Sequence, residues 1–195
     1  MTRSRLSALM VLSLILAGTG VRAHVAAADE KPLKLRAFAV NLNSQARART
    51  GTLDIAIERW STPEEAARLR DILAEKGADD LLEALQKIKP RAGYIQRTGQ
   101  LGWDIHFAQQ VVASNGSRRI ILATDRPMSF FEAANQTRSA DYAFTLAEIR
   151  LGPDGKGEGK LVPAAKIDYD KEGNTLEIEN YETEPTRLTQ VEIEK

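Results

Sequence analysis

Residues 103–125 read W-D-I-H-F-A-Q-Q-V-V-A-S-N-G-S-R-R-I-I-L-A-T-D. Two runs rich in β-branched and aromatic residues flank Asn115-Gly116, and that pattern predicts an antiparallel hairpin with a two-residue turn. Ile120, Ile121 and Leu122 follow one another without a polar break, as in a strand covered on both faces. In the first run a period of two sets Asp104 and His106 on one face and Trp103, Ile105 and Phe107 on the other. A chain organised around such a hairpin is sheet-rich, and the flanking sequence extends the pattern in both directions.

Toward the C-terminus, YAFTLAEIRL (142–151), KLVPAAKIDYD (160–170), NTLEIENYE (174–182) and RLTQVEIE (187–194) are further strand candidates. They are joined by turn-forming stretches: G-P-D-G-K-G-E-G, K-E-G-N and T-E-P-T. Toward the N-terminus, LKLRAFAVNLN (33–43) and TLDIAIERW (52–60) form a hairpin with a long loop, and Leu53, Ile55 and Ile57 share one face. AGYIQRT adds one more strand. Helical signals interrupt the sheet once. Thr62-Pro63-Glu64-Glu65 combines an N-cap, a first-turn proline and a capping box. Ala66, Leu69, Ile72 and Leu73 then recur at helical spacing up to Lys76-Gly77, which supplies the stop. From Asp79 or Asp80 a second helix carries Leu81, Leu82, Leu85 and Ile88 to Pro90, which makes an αα-hairpin. The expected fold class is α+β: an antiparallel meandering sheet of about eight strands, partly closed or folded over, with one inserted αα-hairpin.

The first residues have the three parts of a secretory signal. Arg3 and Arg5 precede an apolar run, Leu6–Ala17, which is shorter than the about 20 residues needed to span a bilayer. Small residues follow. Cleavage after Ala23 leaves His24 first, and cleavage after Ala28 leaves Asp29 first. Residues 1–28 are thus read as a signal peptide and 29–195 as a single globular domain, secreted or periplasmic. The whole chain has 27 basic and 27 acidic residues, and loss of Arg3, Arg5 and Arg22 leaves it three units acidic. That balance gives no basic footprint for nucleic acid. Without cysteine the exported domain must be held by its core alone. N-terminal sequencing of the secreted protein is expected to begin at His24 or Asp29, and a mature chain that retains Leu6–Ala17 contradicts export with processing.

Candidate chemistry is sparse. The two histidines are His24 and His106. A terminal amine, its imidazole and a second imidazole can hold copper in a T-shaped site. That pair resembles the arrangement of exported copper oxidases that attack polysaccharides, with His24 as the mature N-terminus; the alternative is that His24 belongs to a terminal tail. Asp104 beside His106 suggests acid–base work, with Thr124 or Ser129 the only nucleophiles to nominate and no G-x-S-x-G stretch; the competing reading is a solvated hairpin face. Asp125-Arg126 ends the central strand, where Asp125 can accept from turn amides and Arg126 can pair with an acid. Met128–Asp141 is long and without period, as a lid would be. Arg126, Phe130 and Phe131 are therefore the expected ligand-facing set, around a pocket between helices and sheet. Asp154–Gly159 lacks the ligand spacing of a calcium loop and reads as a hairpin loop. The glutamates of the last strands (Glu177, Glu179, Glu182, Glu184, Glu192, Glu194) form a solvated face. No cofactor is implied. The outline is similar to small barrels that carry lipids, a likeness of fold alone. The leading expectation is an exported non-catalytic binding module for a small apolar ligand or a protein partner. The alternatives are a hydrolase or oxidase using His106 and a scaffold subunit docking through an edge strand.

Overall fold

The computed structural model describes residues 31–42, 49–128, 142–170, 172–173, 175–181 and 184–194, together with the backbone of 10–11 and 24–25. Two short strands, β1 (Met10–Val11) and β2 (His24–Val25), precede β3 (Leu33–Asn41) and β4 (Arg49–Ile57). Helices α1 (Pro63–Lys76) and α2 (Ala78–Gln86) follow, and then β5 (Gly93–Arg97), β6 (Trp103–Val112) and β7 (Arg118–Thr124). The chain ends with β8 (Phe144–Leu151), β9 (Lys156–Asp170), β10 (Thr175–Asn180) and β11 (Thr186–Ile193). Every pairing is antiparallel. Strands run β9-β11-β3-β4-β5-β6-β7-β8 and return to β9, which closes an eight-stranded barrel.

β9 is 15 residues long because it serves two partners on one edge. β11 pairs with its first part, from Lys156 to Leu161, and β10 with its last, from Ala165 to Asp170. β10 is thus an extra strand outside the barrel. Met10–Val11 lies along its other edge, opposite Ile178 and Glu177.

Alternation fills the barrel. Leu35, Ile55, Ile95, Ile105, Ile120, Leu122, Ile149 and Leu188 are at most 1% exposed and form one interior cluster that Trp60, Trp103 and Met128 join. A second cluster lies outside the barrel. There Leu69, Leu73, Leu81, Leu85 and Ile88 of the helical region pack on Phe144, Ala165 and Ile167. The αα-hairpin therefore covers one side of the barrel wall.

Local signals hold where the sequence was explicit. Thr62 Oγ1 accepts from the Glu65 N–H at 3.1 Å, while the Thr62 N–H donates to Glu65 Oε2 at 3.1 Å, so the capping box is complete. The hairpin starts against β6: the Ser61 N–H donates to the Ala108 carbonyl at 2.7 Å, and Ser61 Oγ accepts from the Ala108 N–H at 3.1 Å. α2 begins at Ala78, directly after Gly77, with no side-chain cap, so neither Asp79 nor Asp80 starts it.

Two turns differ from expectation. The β6–β7 loop has three residues, Ser114-Asn115-Gly116, since Ala113 donates to the Ser117 carbonyl. Asn115 Oδ1 holds it by accepting from both the N–H and the hydroxyl of Ser117. Gly157, Glu158 and Gly159 are strand rather than loop, because β9 starts at Lys156 after a tight turn at Gly152–Gly155. β7 is covered more completely on one face than on the other: Ile120 and Leu122 are fully buried inside, while on the outer face Ala123 is buried and Ile121 half-buried. Among the described residues no helix is long and apolar enough to cross a membrane.

Candidate functional site

The alternation expected around His106 breaks at His106 itself. Ile105 lies opposite Thr124 and Phe107 opposite Ala123, which leaves His106 as the extra residue of a β-bulge. The bulge turns Phe107 outward to the helical cluster while Ile105 stays inside the barrel. Asp104 is drawn elsewhere, bonded to Arg91, whose Nε also donates to Glu58 at 3.1 Å. Those contacts, the Glu58 hydrogen bond foremost, raise the Arg91 guanidinium above its ordinary value against the opposing effect of burial. Asp104 is thus not the carboxylate of His106.

His106 faces Asp125 instead. Its ring is buried, Nε2 lies 3.5 Å from Asp125 Oδ1, and Nδ1 has no partner among the described residues. At 3.5 Å the contact is longer than an ordinary hydrogen bond. Thr124 is committed to structure: its hydroxyl donates to the Arg126 carbonyl at 2.6 Å and accepts from the Thr145 N–H at 3.1 Å. Thr145 Oγ1 adds a bond to the Pro163 carbonyl at 2.9 Å, and the Met128 N–H donates to the same oxygen. These bonds pin residues 124–128 across the start of β8 and the middle of β9.

Arg126 is exposed at this end of the barrel and donates from Nη2 to the Gly102 carbonyl at 3.2 Å, where an acid was expected. Phe130, Phe131 and Ser129 lie outside the described residues. The His24 backbone pairs opposite Val112, six residues along β6 from His106. That is about 20 Å of strand between the two backbones in the full-length chain. No group of three or more metal-ligating side chains occurs among the described residues.

A different feature opens in the barrel wall. Between Thr189 and Glu192, β11 carries one residue more than β3, and the same surplus appears against β9 between Leu188 and Val191. Gln190 takes up this bulge in the left-handed region, with φ 50°. Side chains other than glycine pay about 1–2 kcal/mol for that conformation. Beside it lies a cleft of about 400 Å³, lined among others by Arg36, Phe38, Thr52, Lys156, Gln190 and Glu192. Arg36 bridges Asp54 at 3.1 Å and Glu194 at 2.6 Å. The Asp54 hydrogen bond and then the Glu194 charge raise its guanidinium above the ordinary value.

This cleft has a faint trace in the sequence. Leu188, Val191 and Ile193 are apolar at spacings of three and two, a phase slip that marks a bulge, and Phe38 is an aromatic on the polar face of its strand. Replacing Gln190 by glycine is expected to leave stability at or above wild type, and by valine to lower it. The two variants should differ by roughly 1–2 kcal/mol in urea unfolding; equal midpoints contradict the strain. No protein-family model, curated protein or solved structure matches the chain.

Proposed function

We propose that the chain is an exported, non-catalytic binding module whose ligand sits in the wall cleft at the β11 bulge. The observation that carries this is the cleft itself: about 400 Å³ beside a residue held in a costly backbone conformation. That volume falls within the range of about 300–1,000 Å³ usual for ligand sites, and strain of this kind concentrates at functional positions. The filled barrel interior directs a ligand to the wall rather than to a central cavity. Arg126 at the barrel end enters as a second contact, and Phe130 and Phe131 stay in the proposed ligand-facing set. Native mass spectrometry of protein purified from its export compartment is expected to show a retained small molecule on a chain beginning at His24 or Asp29. Loss of that mass in a Gln190→Val, Phe38→Ala double variant supports the cleft, and its retention there contradicts it.

The His106–Asp125 pair favours a second reading, acid–base catalysis at the end of β7. Its test is turnover of ester and glycan substrates by the wild type. Activity abolished by His106→Ala in a folded variant replaces the binding assignment with an enzymatic one. A scaffold role has its edge in β10, whose outer side pairs with Met10–Val11 in the full-length chain and is left open once the leader is removed.

A further inference from the structure

The cleft lining has a chemistry that narrows its ligand. Across the outer wall the register sets Lys156 opposite Glu192, Glu192 opposite Arg36 and Arg36 opposite Asp54. Positive and negative groups therefore alternate along one row, and Arg36 is already tied to two carboxylates. An anion placed here meets Glu192, and a cation meets Arg36 and Lys156. A formally neutral ligand avoids both penalties.

In the next row Phe38 is 38% exposed, paired opposite Thr52 on one side and Thr189 on the other. A partly exposed aromatic side chain on a polar barrel wall offers apolar surface to a ligand. Around it stand a carboxamide, an ammonium, a carboxylate and a hydroxyl, from Gln190, Lys156, Glu192 and Thr52. The side chains of Gln190 and Lys156 have no hydrogen-bond partner among the described residues, so their donors and acceptors face the cleft or solvent. Mixed donors and acceptors without net charge, set about one aromatic ring, suit a ring that presents C–H bonds on one face and hydroxyls at its edge.

We propose that the cleft binds a neutral sugar ring of an oligosaccharide, stacked on Phe38 and hydrogen-bonded by Gln190, Glu192 and Lys156. The proposal rests on the binding function above and adds the class of ligand. It is tested on the full mature chain by amide-resolved NMR, with maltotriose and triacetylchitotriose as neutral probes and glucuronate and inorganic phosphate as charged ones. At least one neutral probe should move the amides of 36–38, 156–157 and 190–192, and Phe38→Ala should weaken it by about tenfold. Phe38→Leu, which keeps apolar bulk without the ring face, should also weaken it, and Lys156→Ala should reduce affinity with the fold intact. No shift from either neutral probe, shifts clustered elsewhere, or shifts unaffected by Phe38→Ala overturn the proposal. A charged probe that alone moves these amides also overturns it, yet leaves the cleft a binding site. If no probe moves them and no small molecule is retained in the native mass, the binding function falls as well.

Discussion

Leu85→Ala is expected to destabilise the protein by about 2–5 kcal/mol, a fall of roughly 4–20 °C in unfolding midpoint for a chain of this size. Leu85 is 2% exposed on α2, in the cluster that joins both helices to Phe144, Ala165 and Ile167. Truncation there leaves a cavity between two layers that are each fixed by their own backbone bonds, so little collapse can offset it. α2 has nine residues, fewer than the about 12–15 at which isolated helices become even marginal in water. Its helicity therefore depends on this contact. Leu73, at 4% exposed on α1, belongs to the same cluster. Its alanine variant should lose a similar amount, and the double variant should depart from additivity because the two sites share neighbours. Urea unfolding followed by far-UV circular dichroism and by tryptophan fluorescence separates the layers, since Trp60 and Trp103 both report on the barrel interior. Unchanged midpoints in both single variants mean that the hairpin does not pack on the wall.

The fold was legible wherever a local rule and the tertiary environment agreed. Thr62-Pro63-Glu64-Glu65 specifies a helix start by hydrogen bonds within four residues, and those bonds form. Leu53, Ile55 and Ile57 share a face because a barrel strand has one dry side. Legibility failed where a long-range contact set the outcome. Gly157 and Gly159 read as loop residues since glycine usually marks turns, yet here they permit two strands to approach closely. Asp104 was the natural partner of His106 by alternation, but the bulge shifts the phase and Asp125, just beyond the end of β7, takes the place. That partner was invisible to spacing, since 19 positions of chain separate the two residues. The β11 cleft was missed for a related reason: the phase slip from Leu188 to Val191 is readable, but which side chains flank it depends on β3 and β9.

Gly157→Val tests closure of the barrel and is expected to cost about 3 kcal/mol or more, with Gly157→Ala somewhat less. In the β8–β9 ladder Gly157 lies opposite Leu151, and Glu158 opposite Arg150. A Cβ at Gly157 would overlap the Arg150 carbonyl oxygen and stand 3.0 Å from the Leu151 Cα. Both obstacles are backbone, so neither can rotate aside as a side chain does; the ladder must move. An open sheet tolerates such a shift at its edge. In a closed barrel every strand is paired on both sides, tilt and stagger are coupled around the ring, and displacement of β9 from β8 also strains its pairing with β11. Gly93 repeats the device between β4 and β5, where an added Cβ would meet the Ala56 carbonyl. Gly99→Ala is the matched control. Gly99 has φ +78° and no atom within 4 Å of an added Cβ, so its substitution carries backbone strain without collision, about 1–2 kcal/mol. Urea midpoints and near-UV circular dichroism of the two variants give the comparison. A Gly157→Val protein no less stable than Gly99→Ala, with its aromatic signal intact, means that β8 and β9 are not joined along this ladder and that the sheet is open at the seam.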